Sequence, residues 1–182
     1  MNISEFIEKK FPKKIILSGV RNEDLERSNW HYENAKADAV HGFYFISKNL
    51  NKNMEILVYI NSYGGDMYSA YGIIDYMRVC DVKIGIACYG AAMSASALIL
   101  INATGEKIMS KNSYMMFHPP WINEDEDLDE NHMKDLKNKI LDNIVEHSNK
   151  GKRFWSNKLK NNYYINAREC LNLGLIHRVL SY

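Results

Sequence analysis

The chain is predicted to be a layered α/β domain, on three observations. Short β-branched runs such as Ile56-Leu57-Val58-Tyr59-Ile60 alternate with stretches of helical periodicity. Turn residues mark the change from one to the other, as in Asn61-Ser62-Tyr63-Gly64-Gly65. No repeat or linker interrupts the 182 residues, a length one core can serve, so residues 1–182 are taken as a single domain.

The elements follow in order. After an amphipathic opening around Ile3, Phe6 and Ile7, Lys14-Ile15-Ile16-Leu17 reads as a strand ending at Gly19. Residues 22–35 are polar and have no assignable period. Ala37, Val40, Phe43, Tyr44, Ile46 and Leu50 space a helix over 37–50. A buried strand over 56–60 precedes a helix from Tyr68 to Val79, carried by Ala70, Ile73, Ile74 and Met77. Next come a strand over 82–88, a helix over 94–103 stopped near Gly105, and a strand from Tyr114 to Phe117 ending in His118-Pro119-Pro120. Asn123 to Glu130 is nearly all acidic and reads as a solvated loop and helix start, suited to the positive end of a helix dipole. The helix itself runs over about 131–149 on Met133, Leu136, Ile140, Leu141, Ile144 and Val145, whose apolar face calls for a partner. The basic run Lys150 to Arg153 reads as a solvated loop. The tail holds a strand from Tyr163, a helix over Ala167 to Leu173, a stop at Gly174 and a last strand to Leu180.

Composition narrows the function classes. Apolar residues at 46% and charged residues at 25% describe a soluble globular protein. A formal charge of +1 gives no reason to expect nucleic acid. Cys80, Cys88 and Cys170 are odd in number and form no C-x-x-C pair, which argues against a disulfide framework or a zinc site; no metal or other cofactor is expected. With no apolar run in MNISEFIEKKFPKK to serve as a signal peptide, a reducing, cytoplasmic setting is expected. Ile84 to Ile101 is uncharged and long enough to be a membrane span. The alternation of Val82, Ile84 and Ile86, the turn-prone Tyr89-Gly90 and the polar Ser94 and Ser96 argue instead for a buried strand leading into a buried helix, and against a membrane.

Three features bear on chemistry. Gly64-Gly65 follows a buried strand, where paired glycines let backbone N–H groups approach a ligand as an oxyanion hole requires, although such a pair is usually only a turn. Ser94 lies in Gly90-Ala91-Ala92-Met93-Ser94-Ala95-Ser96, at a strand-to-helix junction among tiny side chains, where a helix N-terminus favours developing negative charge. Taken alone, Ser94 and Ser96 read first as small buried helix residues or an N-cap. His118 ends an apolar strand and is stiffened by the two prolines after it. Of the other histidines, His31, His41, His132 and His147 lie in polar or helical contexts and His177 near the last strand.

Ile60-Asn61-Ser62-Tyr63-Gly64-Gly65, Gly90-Ala91-Ala92-Met93-Ser94 and Met116-Phe117-His118-Pro119-Pro120 resemble the three signatures I-N-S-P-G-G, G-x-A-A-S-M-G and M-I-H-Q-P of the Clp protease proteolytic subunit family, in the same order. The likeness runs from about Lys14 to the C-terminus. It implies a ClpP/crotonase-type α/β spiral of β-β-α units with a protruding handle (about residues 119–150). It also implies a serine endopeptidase acting on polypeptide substrate inside a homo-oligomeric, heptameric ring or a tetradecamer of two stacked rings. Ser94 matches the nucleophile, His118 the general base, and Gly65 and Ala95 the oxyanion donors. An ATP-driven AAA+ unfoldase partner is implied as well, with Leu57, Tyr59 and Val79 matching part of its docking pocket.

The family's third triad residue is an aspartate in D-R-x-[FL]-[ST]-A. Counting from Gly174-Leu175-Ile176 and from His147-Ser148 places Asn162 there. A neutral amide orients a histidine but does not stabilise its imidazolium, so the resemblance implies weakened activity. Other departures are Ser96 for a glycine, expected to crowd its turn, Tyr63 for a proline, and acidic Trp121 to Glu130 for the glycine-rich strand that pairs rings. Such a divergent member also fits a phage-type capsid maturation protease. A catalytically impaired ring subunit and a crotonase-type acyl-CoA enzyme are the alternatives from other classes.

Overall fold

The computed structural model describes residues 13–18, 55–119 and 129–181. The helix predicted over 37–50, the polar stretch 22–35 and most of the acidic run lie outside the described residues. Seven strands are described: β1 (Lys13–Ser18), β2 (Glu55–Ser62), β3 (Lys83–Met93), β4 (Lys107–Ser110), β5 (Tyr114–Phe117), β6 (Tyr163–Asn166) and β7 (Arg178–Leu180). The helices are α1 (Met67–Val79), α2 (Ala95–Ile101), α3 (Glu130–Glu146), α4 (Lys152–Lys158) and α5 (Ala167–Asn172). The sheet runs β1-β2-β3-β4-β7 in parallel, with β5 added beside β3 and β6 antiparallel to β5. This is the curled, mixed α/β architecture of the Clp-type fold expected from the motifs.

Each side of the sheet is covered by the residues its alternation selects. Val58, Ile60, Ile84 and Ile86 join Ile73, Ile74 and Met77 of α1 and Leu98, Leu100 and Ile101 of α2 in the main core. Leu57, Ala87, Ile108 and Leu180 form a second, smaller cluster with Tyr59 against it.

The long uncharged stretch resolves as strand and then helix, with one difference from expectation. Tyr89-Gly90 does not end β3. The strand passes through it to Met93 and changes neighbours: Ile86–Cys88 pair with Lys107–Met109 of β4, whereas Ala91–Met93 pair with Tyr114–Met116 of β5. Between Cys88 and Ala92, β3 advances four residues while β2 advances two, from Ile60 to Ser62. That bulge is possible because Gly90 takes φ +98°. A Cβ there would lie 2.7 Å from Asn61 Oδ1. The freed N–H groups are taken by side chains: Gly90 donates to Ser113 Oγ (2.9 Å) and Ala91 to Asn61 Oδ1 (3.1 Å).

Two other expectations change. The stretch after Lys150 is a helix from Lys152, anchored by the fully buried Trp155, whose indole donates to Ser148 Oγ (2.6 Å) and meets Phe117, Phe154 and Tyr163 edge-on. Strand β4, only four residues long, carries no alternating signal because all four side chains are buried. The apolar face of α3 does not stand open for a partner either. Met133, Ile140 and Ile144 are buried, and Leu136, Leu141 and Val145 pack on the chain's own core.

The C-terminal end of α3 is fixed by a polar network centred on Asn102. Buried Asn102, after α2, donates to Leu98 O (2.9 Å) and to Asn143 Oδ1 (2.7 Å). Its own Oδ1 receives Arg78 (2.9 Å), Asn143 (3.2 Å) and His147 Nε2–H (2.9 Å). Burial, together with the cations Lys107 and Arg78 and against the pull of Glu146, holds the His147 pKa down to about 4. The folded protein therefore binds fewer protons here than the unfolded chain between about pH 4 and the ordinary histidine value. Stability contributed by neutral His147 is present at pH 7 and is lost as pH falls through that window. Urea denaturation at pH 7 and pH 4.5 should show this loss, and His147→Asn should reduce it.

Candidate active site

Ser94 stands at the turn from β3 into α2 with φ 54° and ψ −126°, the one positive-φ residue other than glycine among the described residues. A side-chain-bearing residue in that conformation costs on the order of 1–3 kcal/mol and persists only where its surroundings hold it. They do so here through three contacts. The Ser94 N–H donates to Met116 O (2.7 Å) on β5, and Ser94 O accepts from Ala97 (3.0 Å) and Leu98 (3.3 Å). Although Ser94 occupies the N-cap position, its hydroxyl makes no capping bond. It lies 2.8 Å from His118 Nε2 instead.

His118 reaches this point because β5 delivers it. Met93 pairs with Met116, so the chain ends that leave β3 and β5 carry Ser94 and, two residues beyond Met116, His118. The other ring nitrogen, Nδ1, is hydrogen-bonded to the Pro119 carbonyl. A carbonyl only accepts, so Nδ1 carries the proton and Nε2 of the neutral ring presents its lone pair to the Ser94 O–H.

Asn162 precedes β6. The antiparallel register pairs Phe117 with Tyr163, so one further step sets Asn162 across from His118. Its side chain is exposed, and the hydrogen bond at Nδ1 goes to Pro119 rather than to Asn162. Sequence counting thus lands one residue before β6, as His118 lies one residue after β5, but the amide is not joined to the ring.

The glycine pair packs against the same turn. Gly64 has φ +103°, and a Cβ there would sit 2.7 Å from both Met93 O and Ser94 Cβ. Gly64 donates its N–H to Ser62 Oγ (3.2 Å), which leaves Gly65 as the pair's other N–H. Among the described residues no atom outside its own chain neighbours lies within 4 Å of where a Gly65 Cβ would be. Ala95 opens α2, and its N–H has no acceptor within the helix. With only seven residues in α2, this individual N–H is the more relevant group than any helix dipole.

Ser96 is the residue that sequence reasoning undervalued. Far from crowding the turn, its buried hydroxyl accepts the Met93 N–H (2.8 Å) and faces the carbonyl oxygens of Ser62 (2.9 Å) and Met93 (2.7 Å). It ties the end of β2, two residues before the glycine pair, to the residue before Ser94. The available signal was a second small hydroxyl two positions after the first, in an otherwise apolar run.

His31 and His41 lie outside the described residues, and the remaining described candidates belong elsewhere. His132 Nε2 lies 2.6 Å from Tyr68 Oη in a groove of about 290 Å³ between α1 and α3. His147 serves the Asn102 network, and His177 lies beside Lys107. The three cysteines are unpaired; burial raises the pKa of Cys88 to about 12 and raises that of Cys170 as well, so neither supplies a ready thiolate. Among the described residues no helix is long and apolar enough to cross a membrane.

A strained serine in contact with a histidine, at the ends of adjacent parallel strands of an α/β protein and beside a glycine turn, is an arrangement in which a serine hydroxyl can act as a nucleophile with the histidine as its base. The comparison with known sequences makes the class specific: the Clp protease family matches residues 29–182, and the chain belongs to that family, a family of peptidases. It is 23% identical over 189 residues to the ATP-dependent Clp protease proteolytic subunit 1 of Bifidobacterium longum, covering 100% of this chain and 77% of the relative. To subunit 1 of Tropheryma whipplei it is 25% identical over 180 residues, covering 94% and 82%. The proteolytic subunit of Bacteroides fragilis is 29% identical over 133 residues, covering 69% and 64%.

Two substitutions test the packing of the site. Gly64→Ala should destabilise the fold by roughly 1–3 kcal/mol from backbone conformation alone, with the contacts at Met93 O and Ser94 Cβ added. Ser96→Ala leaves the Met93 N–H without its acceptor and should cost about 1–3 kcal/mol. Chemical denaturation of each variant against the parent measures both.

Proposed function

We propose that the chain is a serine endopeptidase in which Ser94 is the nucleophile and His118 the general base. The observation that carries this is the 2.8 Å contact between Ser94 Oγ and His118 Nε2, with Nε2 as the acceptor. Oγ attacks the scissile carbonyl carbon while its proton passes to Nε2. The carbonyl oxygen becomes an oxyanion that accepts from the N–H groups of Gly65 and Ala95. As the tetrahedral intermediate collapses, His118 gives the proton to the departing amine and an acyl ester remains on Ser94. Water, deprotonated by the same histidine, releases the second product. Asn162 is the residue that aligns with the third position of the family's triad, but it is not bonded to His118 and takes no step in this sequence. As an amide it brings no negative charge to the imidazolium, so the rate is lower than an aspartate would allow.

The substrate class we propose is unfolded polypeptide, admitted to the chamber of a cytoplasmic heptameric ring, single or stacked in pairs, and fed by an ATP-driven unfoldase. Family membership and the relatives' names, which describe subunits of ATP-dependent proteases, support the assembly. The local support for unfoldase docking is narrower. Tyr59 is half-buried beside Tyr89, with ring centroids 5.6 Å apart, and Val79 is exposed, whereas Leu57 is wholly buried. A second reading, a ring subunit without activity, draws on the single observation that the third position is an asparagine.

Labelling by a fluorophosphonate separates the two. The parent chain should be labelled at Ser94, Ser94→Ala and His118→Ala should lose the label, and Asn162→Asp should react roughly tenfold faster or more. No labelling of either the parent or Asn162→Asp would discard the peptidase reading in favour of the structural one.

A further inference from the structure

We infer that the backbone carbonyl of Pro119, not the side chain of Asn162, orients His118, so that the reaction runs on a serine–histidine pair with a main-chain positioning group. This rests on the reading of Ser94 and His118 given above and goes beyond it in assigning the third role.

Three observations carry the assignment. Nδ1 is hydrogen-bonded to Pro119 O while Nε2 faces Ser94 Oγ at 2.8 Å, so both ring nitrogens are engaged in the pattern a general base requires. Asn162 is across the strand pair by register, yet its side chain is exposed and not bonded to the ring. The carbonyl is also directed by covalent geometry. Pro119 has its φ fixed by its own ring, and the following Pro120 restricts it to extended conformations. Placing that acceptor therefore needs no side chain to be held still.

The choice of acceptor has a chemical consequence. An asparagine has both a carbonyl and an NH2 group, and it can turn either one to Nδ1. With the NH2 facing Nδ1, the ring proton sits on Nε2, the tautomer that cannot accept from serine. That is how the aspartate-to-asparagine change in a trypsin-type triad loses about four orders of magnitude in kcat. A backbone carbonyl has no donor to offer, so it selects one tautomer only. The chain thereby avoids the tautomer penalty and forgoes only the charge that an aspartate would set beside the imidazolium. In this arrangement residue 162 is dispensable.

The test uses the full chain and two measurements. The rate of fluorophosphonate labelling of Ser94 is compared between the parent and Asn162→Ala, with denaturation curves confirming that both are folded. Nitrogen-15 NMR of histidine-labelled protein, with His118 assigned through His118→Gln, reads the ring tautomer directly. The expected result is labelling within about threefold of the parent and a His118 ring protonated at Nδ1 in both proteins. A loss of labelling of tenfold or more in Asn162→Ala, or a ring protonated at Nε2 in either protein, would overturn the assignment to Pro119. Failure of both the parent and Asn162→Asp to react with the probe would discard the Ser94 mechanism instead, while the NMR tautomer still decides what holds His118.

Discussion

The bulge in β3 at Tyr89 to Ala91 is the constraint on which the site depends. A straight strand would continue beside β4 and end within the parallel sheet. With its extra residues β3 turns away, leaves β4 and takes β5 as its neighbour. Only then do Ser94 and His118 leave the same pair of strands, a few residues apart on each. The bulge needs a glycine in the left-handed region and acceptors for two displaced N–H groups, and Gly90, Asn61 and Ser113 supply them. Asn61 belongs to the strand that leads to the glycine pair, so one side chain links that pair to the bend in the strand that carries Ser94.

The site is held mostly by main chain and small side chains. Gly64 lets its turn lie directly on Met93 and Ser94, and Ser96 ties the end of β2 to the same turn. Such contacts are short and leave few rotamers to freeze, which suits a geometry that must keep a serine at φ 54°. Long charged side chains are absent from the described contacts of Ser94 and His118. The contact between the two is set by position and by the hydrogen bond at Nδ1.

Helix α3 follows the same economy on a larger scale. Its apolar stripe is taken up by the chain's own core, and its C-terminal end is held by amides and a histidine kept neutral by burial. Exposed aromatic side chains such as Tyr114 and Tyr164, on the outer face of β5 and β6, remain open in the single chain.

Much of this was legible in the sequence because the governing interactions are local. Period-two and helical spacing mark β2, α1, β5 and α5 to within a residue or two, and three short motifs in order name the family and point to Ser94, His118, Gly64 and Gly65. Asn162, reached by counting, lies one residue before β6, whose first residue pairs with Phe117. The rest was not legible because it consists of contacts between segments far apart in the chain. Whether Tyr89-Gly90 ends a strand or bends it depends on Asn61 and Ser113 meeting the freed N–H groups. Whether Ser96 crowds or braces its turn depends on Ser62 arriving from β2. Whether α3 needs a partner depends on α2 and α4 being there to cover it. The residue that holds His118 is decided by which acceptor reaches Nδ1, and a backbone carbonyl has no letter in the sequence. Residue identity determined which chemistry was available; tertiary structure decided which groups meet, because hydrogen bonds and strand pairing are set by distance in space.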